Sequence, residues 1–240
     1  MRIVADSQTG WGAHSYDLLH KEDFDGVTRC FERAITVGVD TRAPHFYSVA
    51  AADSYRAATA RALRLGPAWT YALPPTDTFT LLLRSTDRKI LNEAEIEAKL
   101  RAHTAASGWA LQVKRLQGPL PFVEQVRMYA SSSVLLSYHG AQLTNSPFMP
   151  RGSVMIELFN CGHWSHTYRK FAEEAGVRYL HAREPTRGCM HDFGKLLGNM
   201  DRAVPWEELR PAVCKAMDMV AESKAELKEW ALPELTGAGY

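Results

Sequence analysis

Between residues 76 and 182 short apolar runs alternate with segments of helical period, and this alternation limits the fold more than any other feature. The runs are Thr78–Leu83, Trp109–Leu116, Val134–Ser137, Val154–Phe159 and Val177–His181. Between them lie Asn92–Ala106, Pro121–Ala130 and Ser165–Ala175, each with apolar residues at helical spacing. Gly108 and Gly176 follow two of these segments, and Pro121 opens a third. Asn92 stands where a cap belongs, with Glu93 and Glu95 at the positive end of the helix. Strands alternating with helices of about 10–15 residues predict a parallel sheet joined by crossover helices.

Outside this region the pattern is looser. Tyr16–Leu19 reads as a short strand, and residues 27–39 read as strand material broken by Gly38. Residues 44–66 are alanine-rich with a helical period, stopped by Gly66-Pro67. Pro74-Pro75 marks the expected domain boundary. Residues 183–205 read as loop, and Trp206–Trp230 as one long helix broken near Pro211. Gly10-Trp11-Gly12-Ala13 is no dinucleotide fingerprint, because no strand is expected before it and the third glycine is missing.

A formal charge of +1 disfavours a general nucleic-acid binder, so local basic clusters must carry any phosphate recognition. No apolar run reaches the roughly 18 residues of a membrane span. The start of the chain lacks the apolar core of a signal peptide. Cys30, Cys161, Cys189 and Cys214 form no CxxC pair, and free thiols and disulfides both fit. His163 and His166 lack a third ligand, so no metal site is expected. His14, Asp17, His20, Glu22 and Asp23 match no catalytic spacing. Walker A, GxSxG and HExxH motifs are absent.

Three constellations could carry chemistry. Arg84-Ser-Thr-Asp-Arg88-Lys89 follows a strand directly, where open α/β sheets bind their ligands. Two guanidiniums there could hold a diphosphate, or the loop could simply be a solvated basic turn. Next, Tyr138-His139-Gly140-Ala141 makes a sharp turn, and Thr144-Asn145 is expected to start a short helix. Backbone N–H groups at such a turn cradle phosphate, and a packing turn around a core histidine is the other reading. Finally, Glu157 lies inside Val-Met-Ile-Glu-Leu-Phe. A buried carboxylate needs a partner or an open sheet end. A ribose diol or an arginine would serve equally.

Taken in order, these motifs resemble the family 61 glycosyltransferases. The matching residues are Arg84-x-x-x-Arg88-x-Ile90-Leu91-Asn92, Phe122-x-Glu124-Gln125-Val126, His139-Gly140-Ala141-x-Leu143-Thr144-Asn145, Pro150-x-Gly152-Ser153-Val154 and Glu157-Leu158, with Cys30-Phe31-x-x-Ala34-Ile35 upstream. The resemblance covers about residues 27–182. It implies a GT-B-like α/β fold in which Rossmann-like domains face a cleft. It implies a UDP-sugar donor, a glycan or glycoprotein acceptor, inversion at the anomeric carbon, and neither metal nor other cofactor. Arg84 and Arg88 would hold the diphosphate, His139, Gly140, Ala141, Thr144 and Asn145 would form the cradle, and Glu157 would bind the ribose. Gln117 would lie near the uracil. A Golgi or endoplasmic reticulum lumen location also follows from the family alone, and a cytoplasmic one is the alternative.

The expected organisation is a partial, truncated N-terminal acceptor-side domain over residues 1–75, a nucleotide-sugar-binding domain over 76–205, and a C-terminal helix over 206–240. Inverting transfer needs a base for the acceptor hydroxyl. His139 is the one candidate, and the catalytic residue stays unassigned. A non-catalytic nucleotide-sugar-binding module, or a fragment of such an enzyme, is the alternative.

Overall fold

The computed structural model describes residues 2–5, 14–17, 46, 48–65, 77–116, 120–159, 165–183 and 201–235. Its centre is a five-stranded, wholly parallel sheet with helices on both faces. This is the Rossmann-like sheet expected of a GT-B-like protein. Near the start, strand β1 (Arg2–Ala5) pairs antiparallel with β2 (His14–Asp17). A strand therefore does precede Gly10, contrary to expectation, but it turns back as an antiparallel pair and starts no βαβ unit. Residues 27–39, Gln117 and the Pro74-Pro75 boundary lie outside the described residues.

The sheet strands are β3 (Thr78–Arg84), β4 (Ala110–Leu116), β5 (Val134–Tyr138), β6 (Val154–Phe159) and β7 (Arg178–Arg183). The crossover helices are α2 (Glu93–Ala106), α3 (Phe122–Ala130) and α4 (Thr167–Glu174), while an eight-residue 3-10 segment, Ala141–Phe148, follows β5. Strands β5 and β6 are buried along their whole length, which is why they read as near-continuous apolar runs, interrupted only by Ser137 and Glu157. Side chains alternate between two cores. Phe79, Leu81, Val134, Leu136, Val154 and Ile156 pack with α2 and with α5 (Trp206–Leu235). Leu82, Leu135 and Met155 pack with α3, the 3-10 segment and α4.

The strand order is β4-β3-β5-β6-β7. The chain thus runs outward from β3 to β4, then crosses to the other side of β3 to place β5. Order reverses between β3 and β5, and the loops leaving these strands diverge to opposite faces. In open α/β sheets such a switch point, at the carboxyl ends of the strands, is where ligands bind. The loop after β3 begins at Arg84, and the loop after β5 begins at His139.

Two local expectations are corrected. Asn92 occupies the N-cap position of α2 but makes no side-chain cap bond. Its amide donates to Glu95 and to the Val204 carbonyl, and its oxygen accepts the Val204 N–H. It therefore ties residues 201–205 to the arginine loop. Helix α5 also runs through Pro211 unbroken. Leu209, Val213, Ala216, Met217 and Val220 bury one face against the sheet, and that packing outweighs the hydrogen bond proline lacks.

Helix α1 (Val49–Ala62) comes from the stretch expected to form the N-terminal domain, and it docks on this sheet domain. Arg56 is 5% exposed and donates to the Pro147 and Ala175 carbonyls. Asp53 accepts from both Arg56 and Arg151. The far end of the 3-10 segment is thereby anchored.

Candidate functional site

Arg84 ends β3, and its guanidinium is held from three directions. Nε donates to the Asp87 carbonyl (3.0 Å), Nη1 to Oε1 of Gln142 (2.6 Å), and Nη2 to Oδ1 of Asp87. Arg88 donates through Nη1 to the His139 carbonyl (2.6 Å) and through Nε and Nη2 to the second Asp87 oxygen (3.3 and 3.2 Å). The two strand-end loops are thus joined across the switch point, with one carboxylate between two guanidiniums. The adjoining arginines, Arg84 foremost, hold the Asp87 carboxyl down at about 2.

The backbone of Arg88 has φ +55°, in the left-handed region that a non-glycine residue enters at a cost of roughly 1–3 kcal/mol. The neighbouring bonds hold it there. Lys89 N–H donates to Asp201, and the 89–91 backbone pairs with Arg202. The sharp turn points both guanidiniums back over the β5 loop.

Gly140 lies at the closest approach. A Cβ there would overlap Nη1 of Arg84 and Oε1 of Gln142. The 3-10 segment begins one residue later, at Ala141, and not at Thr144 as expected. Thr144 and Asn145 therefore lie inside it. The Thr144 hydroxyl donates back to the Ala141 carbonyl (2.7 Å), and the Asn145 amide donates to Gln125 of α3 (2.8 Å). Both side chains are engaged in securing the segment. Arg84, Arg88, His139 and Gly140 converge; the Asn145 amide is turned toward α3.

Glu157 is 0% exposed and sits within β6, facing the α4 side of the sheet. One oxygen lies 2.6 Å from Nδ1 of His139, and the other accepts the Tyr179 hydroxyl at 2.7 Å. These partners meet the needs of a buried carboxylate without an open strand end. A carboxylate can only accept, so Nδ1–H is the donor wherever Glu157 is ionised. The His139 ring is stacked on Phe159 at 5.2 Å and tilted against Tyr168 at 5.0 Å. Burial, then the Glu157 carboxylate, push the Tyr168 hydroxyl above the ordinary phenol range, while Arg88 and Arg84 pull it down. Tyr179 is pushed up by burial and by its bond to Glu157.

Asp87, Gln142, Tyr168 and Tyr179 escaped the reading of the sequence. Asp87 and Gln142 occupy unassigned positions inside the motifs. Tyr168 and Tyr179 come from α4 and β7 and carry no local signal. Among the described residues no group of three or more His, Cys, Asp or Glu is placed to hold a metal ion. None of the helices described is long and apolar enough to cross a membrane. Cys214 is a free thiol 3.5 Å from Nε2 of His103.

The sheet order and the convergence of two strand-end loops at its switch point define a Rossmann-like α/β domain with its candidate ligand crevice between β3 and β5. A family description, Glycosyltransferase 61, matches residues 27–156, and the chain belongs to that family. It is 28% identical over 197 residues to the EGF domain-specific O-linked N-acetylglucosamine transferase of Gallus gallus, across 78% of this chain and 36% of the relative. The protein of the same description from Mus musculus is 27% identical over 194 residues, with 77% and 36% covered. That from Drosophila melanogaster is 35% identical over 101 residues, with 42% and 18% covered. The chain spans about a third of the length of the first two relatives, 36% in each case.

Proposed function

We propose that this chain forms the donor-binding part of a glycosyltransferase that moves a sugar from a UDP-sugar to a hydroxyl of a glycan or glycoprotein, with inversion. The observation that carries the reading is the pairing of Arg84 and Arg88 beside His139-Gly140 at the switch point. Guanidiniums match a diphosphate in charge and fork geometry, and the first N–H groups of a helical segment are not used by its own carbonyls. Together they would stabilise the charge that develops on departing UDP without a metal. Thr144 and Asn145 keep the cradle in shape, and Ala141 begins it.

On this reading the expected ribose contact of Glu157 gives way to a role behind His139, because both of its oxygens already have partners. Residues 76–205 would be the donor domain, with residues 1–75 on the acceptor side. The names of the relatives make N-acetylglucosamine the first donor to try and an EGF domain the first acceptor. A Golgi or endoplasmic reticulum lumen location accompanies such an acceptor.

The test is calorimetric titration with UDP-N-acetylglucosamine, UDP-xylose and UDP-arabinose, followed by a search for hydrolysis or transfer. Binding of one donor, lost in Arg88→Ala, is expected. If no UDP-sugar binds, the reading fails. Binding without turnover in the presence of acceptor would identify a non-catalytic nucleotide-sugar module instead.

A further inference from the structure

We infer that Asp201 is a positioning residue for the donor site: it clasps residues 201–204 onto the chain just after Arg88, and its bond to the Lys89 N–H fixes the turn that presents Arg88 to the donor diphosphate. The inference rests on the donor-site reading above.

The clasp is a short ladder of hydrogen bonds in register. The Lys89 N–H donates to Oδ1 of Asp201 (2.9 Å), the Arg202 N–H to the Lys89 carbonyl (2.9 Å), and the Leu91 N–H to the Arg202 carbonyl (2.8 Å). Ile90 and Arg202 pair as a parallel bridge. Asn92 takes the next step with its side chain: Oδ1 accepts the Val204 N–H (2.8 Å), and Nδ2 donates to the Val204 carbonyl (3.0 Å). A side-chain amide offers the same donor and acceptor as a peptide group, so Asn92 continues the ladder where the backbone turns into α2. Ile90 and Val204 are buried in one core with Trp206 and Leu209, so the clasp is bedded on the start of α5.

What ties this clasp to Arg88 is where its first bond falls. The Arg88 backbone lies between the peptide groups 87–88 and 88–89. The carbonyl of the first accepts Nε of Arg84 (3.0 Å), and the N–H of the second donates to Asp201 (2.9 Å). With both planes tied, φ of Arg88 is held at +55°, a conformation that a residue with a side chain leaves when its neighbours are released. Loss of the Asp201 bond frees the 88–89 plane to turn. The Arg88 side chain then loses its aim at the loop after β5, where Nη1 now meets the His139 carbonyl at 2.6 Å.

Two other tasks for Asp201 are weaker. Its ion pair with the Lys89 ammonium spans 3.4 Å between side chains that are 43% and 31% exposed, so solvent screens it. As a tie for the fold it is one bond beside the Arg202 and Val204 pairings, and the burial of Val204 and Trp206 already holds this segment down. The backbone bond is what remains. Asparagine at this position keeps an acceptor for the Lys89 N–H and gives up the charge, so the bond and the ion pair can be separated by experiment.

The experiment is calorimetric titration of the full chain with UDP, with melting temperature and amide hydrogen exchange read on the same samples. Asp201→Ala is expected to bind about tenfold more weakly, the cost of one charge-assisted bond. Its Lys89 amide should exchange faster while its melting temperature stays near that of the wild type. Asp201→Asn should recover most of the affinity. In the wild type, UDP should slow exchange at the Lys89 amide, because a ligand that uses the turn stabilises what holds it. Wild-type affinity in Asp201→Ala overturns the inference and leaves the donor reading standing. Equal losses in the alanine and asparagine variants overturn it too, since the charge and not the bond would then be at work. Should Asp201→Ala fail to fold, the wild-type exchange decides: UDP binding that leaves the Lys89 amide unchanged overturns the inference. Absence of UDP binding to the wild type overturns both readings.

Discussion

Replacing Asp87 with asparagine should make the protein less stable and a better donor binder at the same time. The carboxylate now lies between two guanidiniums that are 16% and 18% exposed, while its own side chain is 33% exposed. Its depression from 3.8 to about 2 corresponds at face value to about 2.5 kcal/mol of favourable interaction. Solvent screening of a one-third exposed group reduces that to about 1 kcal/mol. A diphosphate that takes Arg84 and Arg88 has to displace this pairing, so its removal should return up to about 1 kcal/mol to binding, or about fivefold in Kd. The Asp87 carbonyl still accepts Nε of Arg84 after the substitution, so the first arginine keeps its aim.

The pH dependence has a definite sign. The folded carboxyl titrates below its unfolded counterpart, so its contribution is fully present above about pH 4 and disappears as pH falls toward about 2. The stability difference between wild type and Asp87→Asn should therefore close over that window. Urea unfolding at several pH values measures the stability half, and calorimetry with a UDP-sugar measures the binding half. Weaker binding by Asp87→Asn would refute the argument, since it would show that the carboxylate aims the arginines instead of occupying them.

Two further outcomes follow from the packing. Arg56→Ala should lower stability by about 3–5 kcal/mol in urea unfolding, because it orphans two buried carbonyls and leaves Asp53 only Arg151. A loss below about 1 kcal/mol would show that α1 is not anchored by this residue. Gly140→Ala should weaken UDP-sugar binding strongly and stability little. The three atoms nearest its methyl group would belong to the movable ends of Arg84 and Gln142, so the site gives way before the fold does. A melting temperature that drops along with affinity would contradict that split.

Periodicity alone determined the parallel sheet. Strands β5 and β6 are buried on both faces, so apart from Ser137 and Glu157, which have buried partners, they read as apolar runs. The glycines at 108 and 176 mark helix ends because the left-handed backbone there, φ +74° and +75°, favours glycine. The arginine motif and the His-Gly turn were also legible as candidate ligands, since each directly follows a strand. Their meeting was implied by the family resemblance and not by local pattern. It depends on β3 and β5 being neighbours, a fact of strand order.

Tertiary structure alone settled what each polar side chain is occupied with. Asn92 gives its amide to Val204, 112 residues away, instead of capping its helix. Asn145 is drawn to α3. Glu157 lies 18 residues from His139 and 22 from Tyr179, on three neighbouring strand ends and strands that only the sheet register brings together. Local sequence sets which way a side chain alternates, because that depends on the pleat of its own strand. The partner it meets depends on which strand lies beside it, and short-range pattern does not encode that.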